Sequence, residues 1–204
     1  MSTEPGWPQS IVVVRHGETE WSASGRHTGR TDLALTDRGR SEAEAAGAVI
    51  RDALDGNPPT AVYASPLRRA RDTAALALGV DRPMIDDRLA EVDYGRYEGL
   101  TSEAIREIQP GWDLWADGTP GGESVAGIAA RCDSFIADLR RRDAGGRVVI
   151  VSHGHLGRAL TSRLVGWDVT AARALQSDTA SVGLVIVKRD IPVLAAWNRH
   201  PTVA

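Results

Sequence analysis

Cysteine and lysine are nearly absent from this 204-residue sequence: Cys132 and Lys188 are each the only residue of their kind. A single cysteine excludes an intramolecular disulfide framework and a cysteine-based zinc site, and Cys132 reads as a core thiol compatible with a reducing compartment. The 24 basic residues are scattered among 27 acidic ones for a formal charge of -3, with no polybasic tail or stripe. A nucleic-acid partner is therefore not expected. No apolar run approaches the ~20 residues needed to span a bilayer. The segment Met1 to Ser10 is polar, carries two prolines and lacks a charged stretch followed by an apolar one. A cytoplasmic protein without a membrane partner is the expectation. Repeats and low-complexity tracts are missing too, and the only linker-like break is Gly56-Asn57-Pro58-Pro59. With 42% hydrophobic residues, a chain of this length can bury roughly 70% of its unfolded surface around one core. One domain over residues 1–204 is expected.

Two short segments resemble each other. Ile11-Val12-Val13-Val14 runs into Arg15-His16-Gly17, and Val148-Val149-Ile150-Val151 runs into Ser152-His153-Gly154. Four β-branched residues without polar alternation predict strands covered on both faces, as at the centre of a parallel sheet. Between them, Thr36 can cap a helix to about residue 53 with Ala43, Gly47, Ile50 and Leu54 on one face. A short strand follows over 60–64. Ser65 at the N-cap and Pro66 at the first turn then predict a helix with Leu67, Ala70, Ala74 and Leu78 on one side. Val125, Ile128, Cys132, Phe135, Ile136 and Leu139 mark a helix over 124–140, and 154–165 reads as another. Two late strands, 181–187 and 192–197, suit a hairpin around Arg189-Asp190. Strands alternating with helices predict an α/β fold, a three-layer α/β/α sandwich with a mainly parallel central sheet.

Ligands of such sheets bind beyond the carboxyl ends of the strands, where His16 and His153 fall, each followed by a glycine that permits close backbone approach. Arg15-His16-Gly17-Glu18-Thr19 resembles the signature of the histidine phosphatase superfamily, the phosphoglycerate-mutase-like proteins. Further blocks agree in order: Thr28-Gly29-Arg30-Thr31-Asp32, Ser65-Pro66-Leu67-Arg68-Arg69-Ala70, Leu89-Ala90-Glu91 with Tyr94-Gly95 and Glu98-Gly99-Leu100, and Ser152-His153-Gly154. The resemblance spans roughly residues 11–160. It implies a phosphohistidine at His16, a phosphate cradle of Arg15, Arg69 and a protonated His153, and Glu91 as general acid and base. These types suit the chemistry. Phosphoryl transfer needs an in-line nucleophile, cations around the non-bridging oxygens and a proton for the leaving alkoxide. With three positive groups present, no metal or other cofactor is expected.

Other assignments rest on the family pattern alone. Helical periodicity does not separate Arg69 from Arg68 or Arg71, and Asp93 and Glu98 compete with Glu91. Ser22 stands where many mutases carry asparagine, and its hydroxyl can still donate to phosphate. Thr28 could contribute a hydroxyl and Gly29 a backbone N–H, unless both merely form a turn. Gly154 and His155 belong to a His-Gly-His string that resembles phosphatase members, especially broadly acting acid phosphatases and sugar-bisphosphatases. Trp112 and Trp115 fit either a roof over the entrance or packing beneath a loop, and His27 and His200 read as loop or surface histidines. Small phosphorylated metabolites are the expected partners. A metal-independent phosphomonoesterase, most active at mildly acidic pH, is the leading reading. Its rivals are a cofactor-dependent phosphoglycerate mutase, a sugar-bisphosphatase, a metal-dependent hydrolase using His153 and His155, and a non-enzymatic phospholigand binder.

Overall fold

The valine-rich runs form neighbouring central strands in the computed structural model, which describes residues 6–200; residues 1–5 of the polar N-terminal segment lie outside it. In chain order the elements are β1 (Ser10–Arg15), α1 (Glu20–Ala23), α2 (Asp37–Ala53), β2 (Ala61–Ala64), α3 (Arg68–Leu78) and β3 (Met84–Ile85). They continue with α4 (Ser102–Ile108), α5 (Leu114–Asp117), α6 (Val125–Arg142), β4 (Arg147–Ser152), α7 (Gly154–Leu164), β5 (Val182–Lys188) and β6 (Ile191–Arg199). One six-stranded sheet has the order β3-β2-β4-β1-β5-β6. Its first four strands are parallel, while β5 runs antiparallel to both its neighbours, β1 and β6.

Strand alternation separates two cores. Ile11 and Val13 of β1 with Val148 and Ile150 of β4 pack under α6 and α7, against Phe135, Leu139, Leu156 and Leu160. Val12, Val14, Val149 and Val151 face the other way, onto Ala46 and Ile50 of α2 and Ala70 and Ala74 of α3. The result is the expected three-layer sandwich. Pairing of Ile11 with Val148 through Arg15 with Ser152 brings both strands to the same sheet edge, so His16 and His153 emerge side by side.

Thr36 caps α2 as its sequence predicts, accepting from Gly39 N, and Ser124 caps α6, accepting from Gly127 N. The hairpin turn is Arg189-Asp190, both at positive φ, the backbone that a two-residue turn with right-handed twist demands. The helix after β2 differs from expectation. It begins at Arg68, not at Pro66, because the Arg68 N–H is bound by the Asp32 carboxylate at 2.7 Å from a distant loop. Ser65 is thereby left outside the helix, where its hydroxyl meets His153. Cys132 is buried in the larger core, and burial pushes its thiol up to about 12. Among the described residues no helix is long and apolar enough to cross a membrane.

Candidate active site

At the sheet edge the rings of His16 and His153 meet edge to face with centroids 5.1 Å apart. Both are buried, yet their nitrogens are held differently. His16 Nδ1 lies 2.7 Å from the carbonyl of Gly17. A carbonyl only accepts, so Nδ1 carries the hydrogen and the neutral ring keeps its lone pair on Nε2. Burial, followed by the charges of Arg69 and Arg15, holds this imidazole well below the usual histidine range. Gly17 is required by packing: a Cβ there would lie 2.1 Å from the Gly39 carbonyl oxygen of α2, so the chain passes against helix backbone.

His153 has both nitrogens engaged. Nδ1 accepts from Arg69 Nε at 3.2 Å, which leaves Nε2–H to donate to Ser65 Oγ at 2.7 Å. The ring is therefore neutral, and burial with Arg69, His16 and Arg15 nearby keeps it so. This corrects the expectation of a protonated His153. An imidazole that accepts from a guanidinium has no place for a second proton on that nitrogen.

Of the three candidate arginines on α3, Arg69 is fully buried, while Arg68 pairs with Asp72 at the surface and Arg71 is exposed. Arg69 also donates to the carbonyls of Thr31, Thr28 and Gly29 at 2.8, 2.9 and 3.1 Å, tying the loop over the site to α3. Arg15, from the end of β1, sends Nη1 to the Ser177 carbonyl at 2.6 Å. Its Nε is buried without a hydrogen-bond partner, a rare and costly condition for a guanidinium. Gly154 leaves room for it, since a Cβ there would sit 3.3 Å from that nitrogen.

Glu91 is buried and anchored by three backbone amides. Oε1 accepts from Val92 N and Leu156 N, both at 2.9 Å, and Oε2 from His155 N at 3.1 Å. Its segment is fixed from behind by Ser152 Oγ donating to the Leu89 carbonyl and by Arg131 donating to the carbonyls of Arg88 and Ala90. The competing carboxylates do structural work. Asp93 pairs with Arg30 at 2.6 Å, and Glu98 accepts from Gly29 N and Thr31 N.

A cavity of about 290 Å³ is lined by Arg15, His16, Ser22, Thr28, Glu91, Gly154 and His155 together with Tyr94 and Arg158. Not every expected phosphate contact is available there. The Gly29 N–H is committed to Glu98, so it belongs to loop anchoring. Ser22 Oγ accepts from Thr19 N and donates to the Thr19 carbonyl, closing a capping box on α1. Thr28 Oγ1 donates to the Arg26 carbonyl at 3.3 Å.

His27 departs from the sequence reading. It is a buried wall residue of this cavity, pushed down to about 4 by burial and then by Arg158, and its Nε2 lies 3.2 Å from Ser102 Oγ. Its loop position gives no periodicity that could reveal this. His200 does lie at the surface, 2.9 Å from Asp178. Trp112 and Trp115 are both core residues, and Trp115 also backs His155 and Arg158. Among the described residues no group of three or more His, Cys, Asp or Glu is disposed to hold a metal ion. Tyr94 and Arg158 were missed as cavity residues. Tyr94 sits within a quoted block but carries no obvious charge role, and Arg158 falls four residues beyond Gly154 on α7.

Comparison with known proteins bears on this arrangement. The model of the histidine phosphatase superfamily (branch 1) matches residues 11–200. An acid phosphatase of Mycobacterium tuberculosis is 42% identical over 193 residues, covering 94% of this chain and 94% of the relative. A sedoheptulose 1,7-bisphosphatase of Saccharomyces cerevisiae is 34% identical, covering 81% of this chain and 70% of its own length. The solved structure of the open reading frame Rv3214 of Mycobacterium tuberculosis superposes with a TM-score of 0.88 at 39% identity, covering 95% of this chain and 99% of that one. A pair of histidines at one sheet edge, the arginines around them and a match along nearly the whole chain have one common explanation: the protein belongs to branch 1 of the histidine phosphatase superfamily.

Proposed function

We propose that the chain is a metal-independent phosphomonoesterase that hydrolyses small phosphate monoesters through a phosphohistidine on His16. The observation that carries this reading is the tautomer of His16. Its Nδ1–H is spent on the Gly17 carbonyl, so a neutral Nε2 lone pair stands in a cavity walled by Arg15 and Glu91. Nε2 attacks phosphorus as the ester P–O bond breaks, and the departing electron pair takes a proton from the Glu91 carboxyl group. Oε2 of Glu91, with one amide donor against two on Oε1, has the freer lone pair to carry that proton. Water then attacks phosphorus, gives its proton to Glu91, and the P–N electron pair returns to Nε2.

Arg15 lends its guanidinium charge to the non-bridging oxygens from the cavity wall, and Arg69 adds its positive charge from behind His153. Neutral His153 can share its Nε2–H between Ser65 Oγ, which holds the ring, and a phosphoryl oxygen. Because His16 titrates below its ordinary range, the nucleophile stays competent into mildly acidic solution. A cytoplasmic location and small phosphorylated metabolites as substrates, with no nucleic-acid or membrane partner, complete the reading. It is supported by the lone core thiol and the absence of a basic stripe.

The test is acid quenching during turnover of a radiolabelled phosphomonoester, with chelator present. Expected are inorganic phosphate release from several esters and an acid-labile label mapped to His16. Bisphosphate-primed interconversion of 3- and 2-phosphoglycerate with little phosphate release would replace this reading by the mutase. Loss of turnover with chelator and its return with Mg²⁺ or Zn²⁺ would replace it by metal-dependent hydrolysis.

A further inference from the structure

The cavity that holds His16 is also lined by Arg26, His155, Arg158 and Gln176, which the phosphoryl chemistry above does not use. Arg158, on α7, differs from two other partly buried arginines of the fold. Arg88 and Arg131 sit in carboxylate pairs at 2.6 Å. No carboxylate lies within ion-pair distance of Arg158 among the described residues. Its bonds are long ones to carbonyls, Nε to Gly154 at 3.2 Å and Nη1 to Leu175 at 3.3 Å. Its guanidinium carbon stands 5.5 Å from the Trp115 ring centroid, which fixes the fork against an apolar wall. Among the described residues Nη2 has no hydrogen-bond partner, and it is not among the nitrogens shut off from solvent. A guanidinium half withdrawn from water and held in no ion pair is a ready site for an anion.

His155 points to the same chemistry. The buried Tyr94 hydroxyl lies 2.5 Å from His155 Nδ1, and that is its one hydrogen-bond partner in the structure. The phenol donates, Nδ1 accepts, and the neutral ring must carry its hydrogen on Nε2. That nitrogen, too, is unpaired and not sealed from solvent. Arg26, exposed and without an acidic partner among the described residues, adds a third donor at the rim.

We infer that Arg158 and His155 Nε2–H, with Arg26 at the rim, form a subsite for a second oxyanion on the substrate. The preferred phosphomonoesters then carry a carboxylate or a second phosphate on the alcohol portion; this rests on the phosphomonoesterase reading and narrows its substrate class. Sequence reading expects little discrimination, because Arg106 is the only basic residue between positions 101 and 123. The structure brings the missing cation from α7 instead.

Matched ester pairs test it: 3-phosphoglycerate against glycerol 3-phosphate for a carboxylate, and fructose 1,6-bisphosphate against fructose 6-phosphate for a second phosphate. In at least one pair the wild-type kcat/KM should favour the anion-bearing member by roughly 10- to 100-fold, the worth of charge-assisted hydrogen bonds. Which pair shows it identifies the group. Arg158→Gln should bring that preference within about threefold, chiefly through KM, and Arg158→Lys should restore part of it. Circular dichroism checks folding; if Arg158→Gln is unfolded, Arg158→Lys and Arg26→Gln must each lower the preference. Wild type indifferent within both pairs, or an Arg158→Gln loss equal for both members, overturns the subsite while leaving phosphate release intact. Absence of phosphate release from all four esters overturns the activity instead. Calorimetry of the same compounds on His16→Ala protein must then still show the preference, or the subsite fails as well.

Discussion

His16 and His153 end neighbouring parallel strands and share a sequence context, yet the fold treats them in opposite ways. His16 is oriented locally, by the carbonyl of the next residue, and one nitrogen stays free. His153 is oriented by tertiary partners on both sides, Arg69 and Ser65. The lesson is that a repeated His-Gly strand end does not assign a role by itself. What distinguishes a nucleophile from a supporting imidazole here is which nitrogen remains unbonded, and that depends on the geometry of one or two neighbouring groups.

Replacing each histidine should break the symmetry most clearly. His16→Ala removes the attacking lone pair and should lower kcat by about 10⁴-fold or more, with no phosphoenzyme after acid quench. His153→Ala should cost roughly 10²- to 10³-fold, the scale of one lost transition-state donor, and still give acid-labile label on His16. If His153→Ala abolishes labelling while His16→Ala retains it, the two roles are interchanged.

Glu91 sharpens the comparison, because its carboxylate is pinned by the amides of His155 and Leu156, just beyond His153, but serves the leaving group of the ester attacked by His16. Glu91→Gln should slow alkyl phosphate hydrolysis by roughly 10²- to 10⁴-fold. In single-turnover measurements an aryl phosphate with an acidic leaving group should lose much less in the phosphorylation step. The same leaving-group pattern from Asp93→Asn or Glu98→Gln, and not from Glu91→Gln, would move the proton donor elsewhere.

How much of this was legible beforehand depends on whether the determinant is local. The two β-branched runs define the central strands because nothing but double-sided burial suits them, and Thr36 caps a helix within three residues of itself. Ser65 defeats the same logic. Ser65 Oγ keeps the Leu67 amide, but a carboxylate from Asp32 takes that of Arg68, and no sequence window contains both Ser65 and Asp32. The motif blocks name His16, Arg15, Arg69, Glu91 and His153, and burial separates Arg69 from Arg68 and Arg71. Protonation was not legible: His153 is neutral because of a guanidinium 84 positions away. Arg158 and His27 reach the cavity only through packing of α7 and the loop after α1, which no periodicity encodes.

Ser65 itself offers a smaller perturbation. Its hydroxyl accepts from His153 Nε2–H, so Ser65→Ala leaves that nitrogen unsatisfied and the ring less fixed. Loss of one such hydrogen bond, worth roughly 1 kcal/mol, predicts about a fivefold fall in kcat. Ser65→Thr, which restores the hydroxyl, should recover most of it. A purely structural serine would show the fall in melting temperature with kcat unchanged, and that result would detach Ser65 from His153.

The mildest expected effect concerns what His16 and His153 have in common rather than what separates them: with His27 and His155, they are held neutral by burial and by nearby arginines. For His27 the folded value is about 4 and the unfolded one near the ordinary 6.5 of histidine. Between these limits the unfolded chain binds a proton that the folded chain does not, so stability falls as pH drops through that window and is unaffected above it. Each such histidine adds up to about 1.4 kcal/mol per pH unit to the slope. His27→Gln keeps a polar group near Ser102 and removes one titrating proton. Urea unfolding at pH 7.5, 6 and 5 should therefore show a shallower loss of stability in the variant by about that amount per unit, with little difference in slope above pH 6.5. Parallel curves for the two proteins across this range would mean that His27 gains its proton in the folded state as readily as in the unfolded one, and that the arginine-rich cavity does not exclude an additional positive charge.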